Sequence, residues 1–85
     1  MPEISRFLGI TVYMLFDDHL PPHFHAEYGG QRISVSIVEG AVEGRFPRRA
    51  LGALLEWQQM HRDELMADWQ RAERHEVLQR IEPLE

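Results

Sequence analysis

Two consecutive glycines, Gly29 and Gly30, flanked by runs in which apolar and polar residues alternate, restrict the folds open to this chain more than any other feature. A two-residue turn between antiparallel strands needs positive φ at its centre, which glycine adopts without steric cost. Turning there sets Tyr28 opposite Gln31, Glu27 opposite Arg32, Ala26 opposite Ile33, His25 opposite Ser34, Phe24 opposite Val35 and His23 opposite Ser36. Apolar side chains then meet apolar ones, and polar meet polar. A slip by one residue would set Phe24 against a serine and a histidine against a valine, so both faces support one register. The pattern predicts a hairpin with an oily face and a face of imidazoles, serines and charges.

The same reasoning extends outward. Ile10, Val12, Met14 and Phe16 alternate with Thr11, Tyr13 and Leu15, which predicts a first strand before the break at residues 17–22. The Pro21-Pro22 pair cannot donate ladder hydrogen bonds and delivers the chain extended into the strand that starts at His23. A second turn at Glu39-Gly40 would place Ile37 opposite Val42, Ser36 opposite Glu43, Ser34 opposite Arg45 and Ile33 opposite Phe46. After Pro47 the apolar period lengthens to about 3.6, with Ala50, Leu54, Trp57, His61, Leu65, Trp69 and Ala72 on one stripe. The fold expected is α+β: an antiparallel meander of three to four strands between about residues 10 and 46, its apolar face covered by a helical segment of about 47–75. That segment is either one long helix or a pair broken near residues 60–63, and a loose C-terminal tail follows it.

Eighty-five residues suit a single domain with a thin core, for which self-association or a partner interface can matter. Fourteen acidic residues against nine basic ones give a net charge of −5, which opposes broad binding to phosphate polymers. With no cysteine, disulfides, thiol catalysis and thiolate metal sites are excluded. Residues 1–6 carry no secretion signal and no apolar run can span a membrane, so a cytoplasmic, membrane-free protein is expected.

Chemistry concentrates between Asp17 and Glu27, which hold three of the five histidines and three carboxylates. On a strand His23 and His25 leave the same side about 7 Å apart, with Glu27 continuing the row. Two neutral imidazoles and a carboxylate form a facial set for zinc, manganese or iron, with coordination positions left open. The other reading is a polar sheet face, its histidines bonded to Ser34 and Ser36 and Glu27 paired with Arg32. A metal-free centre would use His23 or His25 as acid or base, with Arg32 or Arg45 stabilising phosphoryl charge and Tyr13 joining the face. Arg45, Arg48 and Arg49 form the densest positive cluster, a candidate anchor for an acidic or phosphate group beside the helix start. His61 and the two tryptophans read as packing residues. The Asp17-Asp18 pair reads as a turn.

The segments Ile4-Ser5-Arg6-Phe7, Asp18-His19, Pro21-Pro22-His23-Phe24-His25-Ala26-Glu27-Tyr28-Gly29, Leu51 to Trp57, His61-Arg62-Asp63-Glu64-Leu65 and Trp69 together resemble a known group. The chain is similar to the bacterial family described as domain of unknown function 4160. The resemblance implies a short cytosolic protein, often encoded beside another small domain, and with that a toxin-antitoxin context. It supplies no catalytic residues. Two functions remain open: an interaction protein that binds a protein or RNA partner through its His/Arg-rich sheet face, or a metal-dependent or acid/base hydrolase, ribonuclease-like, centred on His23, His25 and Glu27.

Overall fold

The computed structural model describes residues 2–85. Five strands, β1 (Glu3–Phe7), β2 (Ile10–Tyr13), β3 (His23–Tyr28), β4 (Gln31–Ser36) and β5 (Val42–Gly44), precede two helices, α1 (Arg48–Met60) and α2 (Arg62–Glu73). The strands form one antiparallel sheet in the order β1-β2-β3-β4-β5, an α+β meander. Gly29 and Gly30 take φ of 56° and 81°, and all six pairs from His23↔Ser36 to Tyr28↔Gln31 have the register that the double glycine dictates.

The sheet has one strand more than the three to four expected. β1 joins β2 through Leu8-Gly9, both at positive φ, while a register shift between Glu3 and Ser5 buries Ile4 and Ser5 in succession. That irregularity hides the period of two by which a strand is recognised. The β4–β5 register also differs from expectation: Val35 faces Val42, Ser34 faces Glu43 and Ile33 faces Gly44. The shift is two residues, so every side chain keeps its face. It arises because Ser36, not Ile37, closes the loop: its N–H donates to the Ala41 carbonyl, its carbonyl accepts from Gly40 and its Oγ accepts from the Ala41 N–H. Ile37 is fully buried, and its carbonyl accepts from Gln58 Nε2 at 2.7 Å.

Gly44 is the tightest point of this hairpin. At φ 107°, a Cβ would lie 2.8 Å from the Arg32 carbonyl oxygen and 2.9 Å from Ile33 Cγ2. Gly44→Ala should therefore cost about 1–3 kcal/mol through strain and overpacking, read as a lower urea midpoint. An unchanged midpoint would show that β5 is not held at this spacing.

The apolar face carries Val12, Phe24, Ala26, Ile33 and Val35, which join Leu54, Trp57, Leu65 and Trp69 in one core. Burying each such side chain contributes roughly 1.5–3 kcal/mol. The helical segment divides at His61, whose φ of −123° and ψ of 28° leave the helical region. Asp63 and Glu64 in the first turn of α2 favour a restart there. Residues 76–85 form no helix or strand but dock: Ile81 is buried and its N–H donates to the Ile4 carbonyl, while Val77 stays exposed, and within residues 82–85, expected to be a loose end, the Glu82 carbonyl accepts from Trp57 Nε1. Among the described residues no helix is long and apolar enough to cross a membrane.

Candidate metal centre

Side chains on β3 alternate, so Phe24 and Ala26 enter the core while His25 emerges on the opposite face. There a row of cross-strand partners runs Tyr13↔His25↔Ser34↔Glu43 over four strands. The Tyr13 ring stacks on His25 with centroids 5.3 Å apart. This face floors a cleft of about 670 Å³ whose lining includes His19, His23, His25, Tyr13, Ser34, Ser36, Arg32 and Glu43, together with Leu15 and Pro21.

The β2–β3 loop, residues 14–22, closes one side and brings Asp18 onto both imidazoles. Asp18 Oδ2 lies 2.9 Å from His25 Nε2 and 2.9 Å from His23 Nε2. One ligand atom from each of the three residues fits within a span of 4.8 Å. Bonds of about 2.1 Å to one ion require donor spacings of roughly 3.0–3.4 Å, so two edges of the triangle are already near the needed length. His23 is buried, with its ring against Trp69 at a centroid distance of 5.4 Å. The helix pair therefore touches the back of this imidazole at the sheet margin and leaves Nε2 facing Asp18.

The ring of His23 lies between two acceptors. Its Nδ1 is 2.8 Å from the Pro21 carbonyl oxygen, which can only accept, so Nδ1 carries a hydrogen. A neutral ring then turns the Nε2 lone pair toward the Asp18 carboxylate, and a second proton or a cation between them satisfies both. A ring oriented through Nδ1–H to a carbonyl is the usual supporting arrangement for a metal-binding histidine. Burial pushes the Asp18 carboxyl up, but the hydrogen bonds from His25 and the His19 N–H, with the charges of the two imidazoles, outweigh it. The net effect holds it below the ordinary carboxylate range.

Glu27, the carboxylate that the strand pattern placed beside the histidines, stands elsewhere. Its Oε2 accepts from Arg32 Nε at 2.9 Å, and the carboxylate grouped with the two imidazoles is that of Asp18. The physical reason is distance along the strand: Glu27 shares the face but lies a further pleat away, opposite a guanidinium, whereas the loop folds back on the imidazoles. Nor do the imidazoles bond Ser34 and Ser36; their partners are Asp18 and the Pro21 carbonyl. The missed residue was visible only as a second aspartate just before the Pro-Pro turn.

Of the other candidates, Tyr13 and Arg32 line the cleft, while Arg45, Arg48 and Arg49 are exposed beyond its lining at the corner leading into α1. The first turn of α1 holds no acidic residue to offset those arginines. His61 packs on Trp57 and pairs with Glu64, separate from the histidines of the cleft.

No curated protein and no solved structure matches the chain. A family model described as "Domain of unknown function (DUF4160)" matches residues 9–70, most of the sheet and nearly all of the helix pair. With well over half of its length matched, the chain belongs to the DUF4160 family.

Proposed function

We propose that this domain binds one divalent transition-metal ion, of the zinc, manganese or iron type, through Asp18, His23 and His25, and presents it to the cleft for hydrolytic chemistry. The observation that carries the reading is the shared Asp18 oxygen at 2.9 Å from two imidazole nitrogens on the wall of an open cleft. Two nitrogens and a carboxylate suit these metals better than calcium or magnesium, which prefer all-oxygen shells. Three protein donors leave positions for water and substrate. When bound, such an ion supplies Lewis acidity and a water acidified toward neutral pH. The chain's own residues do the rest: Pro21 orients His23, Asp18 holds both rings, and Ser34, Ser36 and Arg32 offer donors to a substrate oxygen on the cleft floor.

Titration of purified, tag-free protein with zinc(II) and manganese(II) tests this. One equivalent should bind, with His25 offering Nε2 in the tautomer that carries its hydrogen on Nδ1. His25→Ala should lose the site, while Glu27→Gln should bind as wild type. Equal loss in Glu27→Gln, or no stoichiometric binding by wild type, would overturn the proposed donor set.

A second reading, a partner-binding role of the kind a toxin-antitoxin pair requires, is favoured by the exposed apolar side chains of the β2–β3 loop. Phe16 and Leu20 are large apolar side chains left exposed on the loop that carries Asp18, beside Leu15 and Pro21. A protein or RNA seated there should slow amide exchange over residues 15–20 and be displaced by Leu20→Asp.

A further inference from the structure

Resting on the metal-centre reading, a second question is what holds Asp18 in place. His23 and His25 are fixed by the sheet ladder, but Asp18 is the one donor carried by a loop. Its neighbour Asp17 has φ of 58°, which sends the two carboxylates to different partners: Asp18 to the imidazoles and Asp17 to His75. His75 Nε2 lies 2.8 Å from Asp17 Oδ1, and the ring of Phe16 stacks on His75 with centroids 5.9 Å apart and planes 8° from parallel. One imidazole thus grips two successive residues immediately before the metal donor.

The backbone at His75 makes that grip unusual. α2 ends with the Glu76 N–H donating to the Arg71 carbonyl at 2.8 Å and the His75 N–H to the Ala72 carbonyl at 3.2 Å, with His75 at φ of 59°. In this helix terminus the left-handed position is the one at which glycine is favoured, because a Cβ there is strained. Local stability therefore argues for glycine, and the chain instead carries a side chain that reaches back 58 positions to Asp17. Both partners of the contact are non-glycine residues in left-handed conformation. With the two side chains mostly exposed, the pair adds little to global stability. Its consequence is local, at the loop. We infer that His75 is a positioning residue for Asp18, clamping the β2–β3 loop so that its carboxylate meets the two imidazoles.

His75→Gly separates this role from a structural one, because the two predict opposite signs. Relief of the left-handed strain should leave the melting temperature unchanged or raise it, whereas loss of the clamp should weaken zinc(II) or manganese(II) binding about 10-fold, the scale of a lost supporting contact. The His19 amide, which donates to Asp18 Oδ1 at 2.9 Å, should exchange faster. His75→Gln, whose amide Nε2 stands about as far from the backbone as the imidazole Nε2, keeps a donor for Asp17 at the same left-handed backbone cost, so it should recover part of the affinity. Metal affinity within two-fold of wild type and unchanged His19 exchange in His75→Gly would overturn the proposal. If wild type binds no metal, the metal-centre reading fails by itself, and His19 exchange in the metal-free variant still decides whether His75 positions Asp18.

Discussion

Asp18→Asn should lower zinc(II) or manganese(II) affinity by about 100-fold or more, because removal of a supporting group alone costs about 10–100-fold and here a charged donor is lost. Asparagine has nearly the same shape and can still accept from one imidazole, so the fold should persist and the loss should be confined to the ion. Isothermal titration with circular dichroism as a control measures both. Wild-type affinity in Asp18→Asn would remove the carboxylate from the site and with it the reading of the cleft. The same variant should alter acid stability. In the fold the Asp18 carboxyl ionises below the ordinary range, so its contribution is complete above the unfolded value near about 3.9 and is lost as the pH falls through the lower folded value. Urea midpoints across about pH 2–5 should therefore fall less steeply toward acid in Asp18→Asn than in wild type. Parallel profiles would contradict this.

Trp57→Ala should unfold most of the molecule. Trp57 is fully buried, meets Phe7 at 5.4 Å and Phe24 at 5.8 Å, and donates its indole N–H to the Glu82 carbonyl at 2.8 Å. It therefore joins the sheet, α1 and the C-terminal segment. Replacing a buried tryptophan with alanine costs roughly 3–5 kcal/mol, against a total of about 5–15 kcal/mol for a typical domain, with small ones at the low end. Far-UV circular dichroism and urea unfolding should show a large unfolded fraction at 37 °C. Trp57→Phe keeps ring contacts and loses the hydrogen bond of about 1 kcal/mol plus some volume, so it should stay folded. A melting temperature for Trp57→Ala within a few degrees of wild type would show that this residue is not the hub of the core.

The hairpin of β3 and β4 was fully legible because two local signals agreed: a turn that needs positive φ and a period of two on both flanking runs. The helical stripe was legible for the same kind of reason, a period of 3.6, but the residue order left one long helix and a broken pair equally open, and the break at His61 came from the structure. β1 escaped because a bulge broke its alternation, and the β4–β5 register slipped by two because the Ser36 side chain closed a longer loop than the glycine suggested.

By itself, then, the sequence determined the α+β meander, the split between oily and polar faces, and the projection of His25 onto the polar one, with His23 in the same alternation. Each of these depends on spacing along the chain, and spacing is written in the residue order. Only the tertiary structure decided that Asp18 rather than Glu27 lies against the two imidazoles, and that His75 meets Asp17 on the same loop. Those contacts join residues with no shared period, brought together by the path of an irregular loop and the end of a packed helix, and no local pattern encodes where such a path leads.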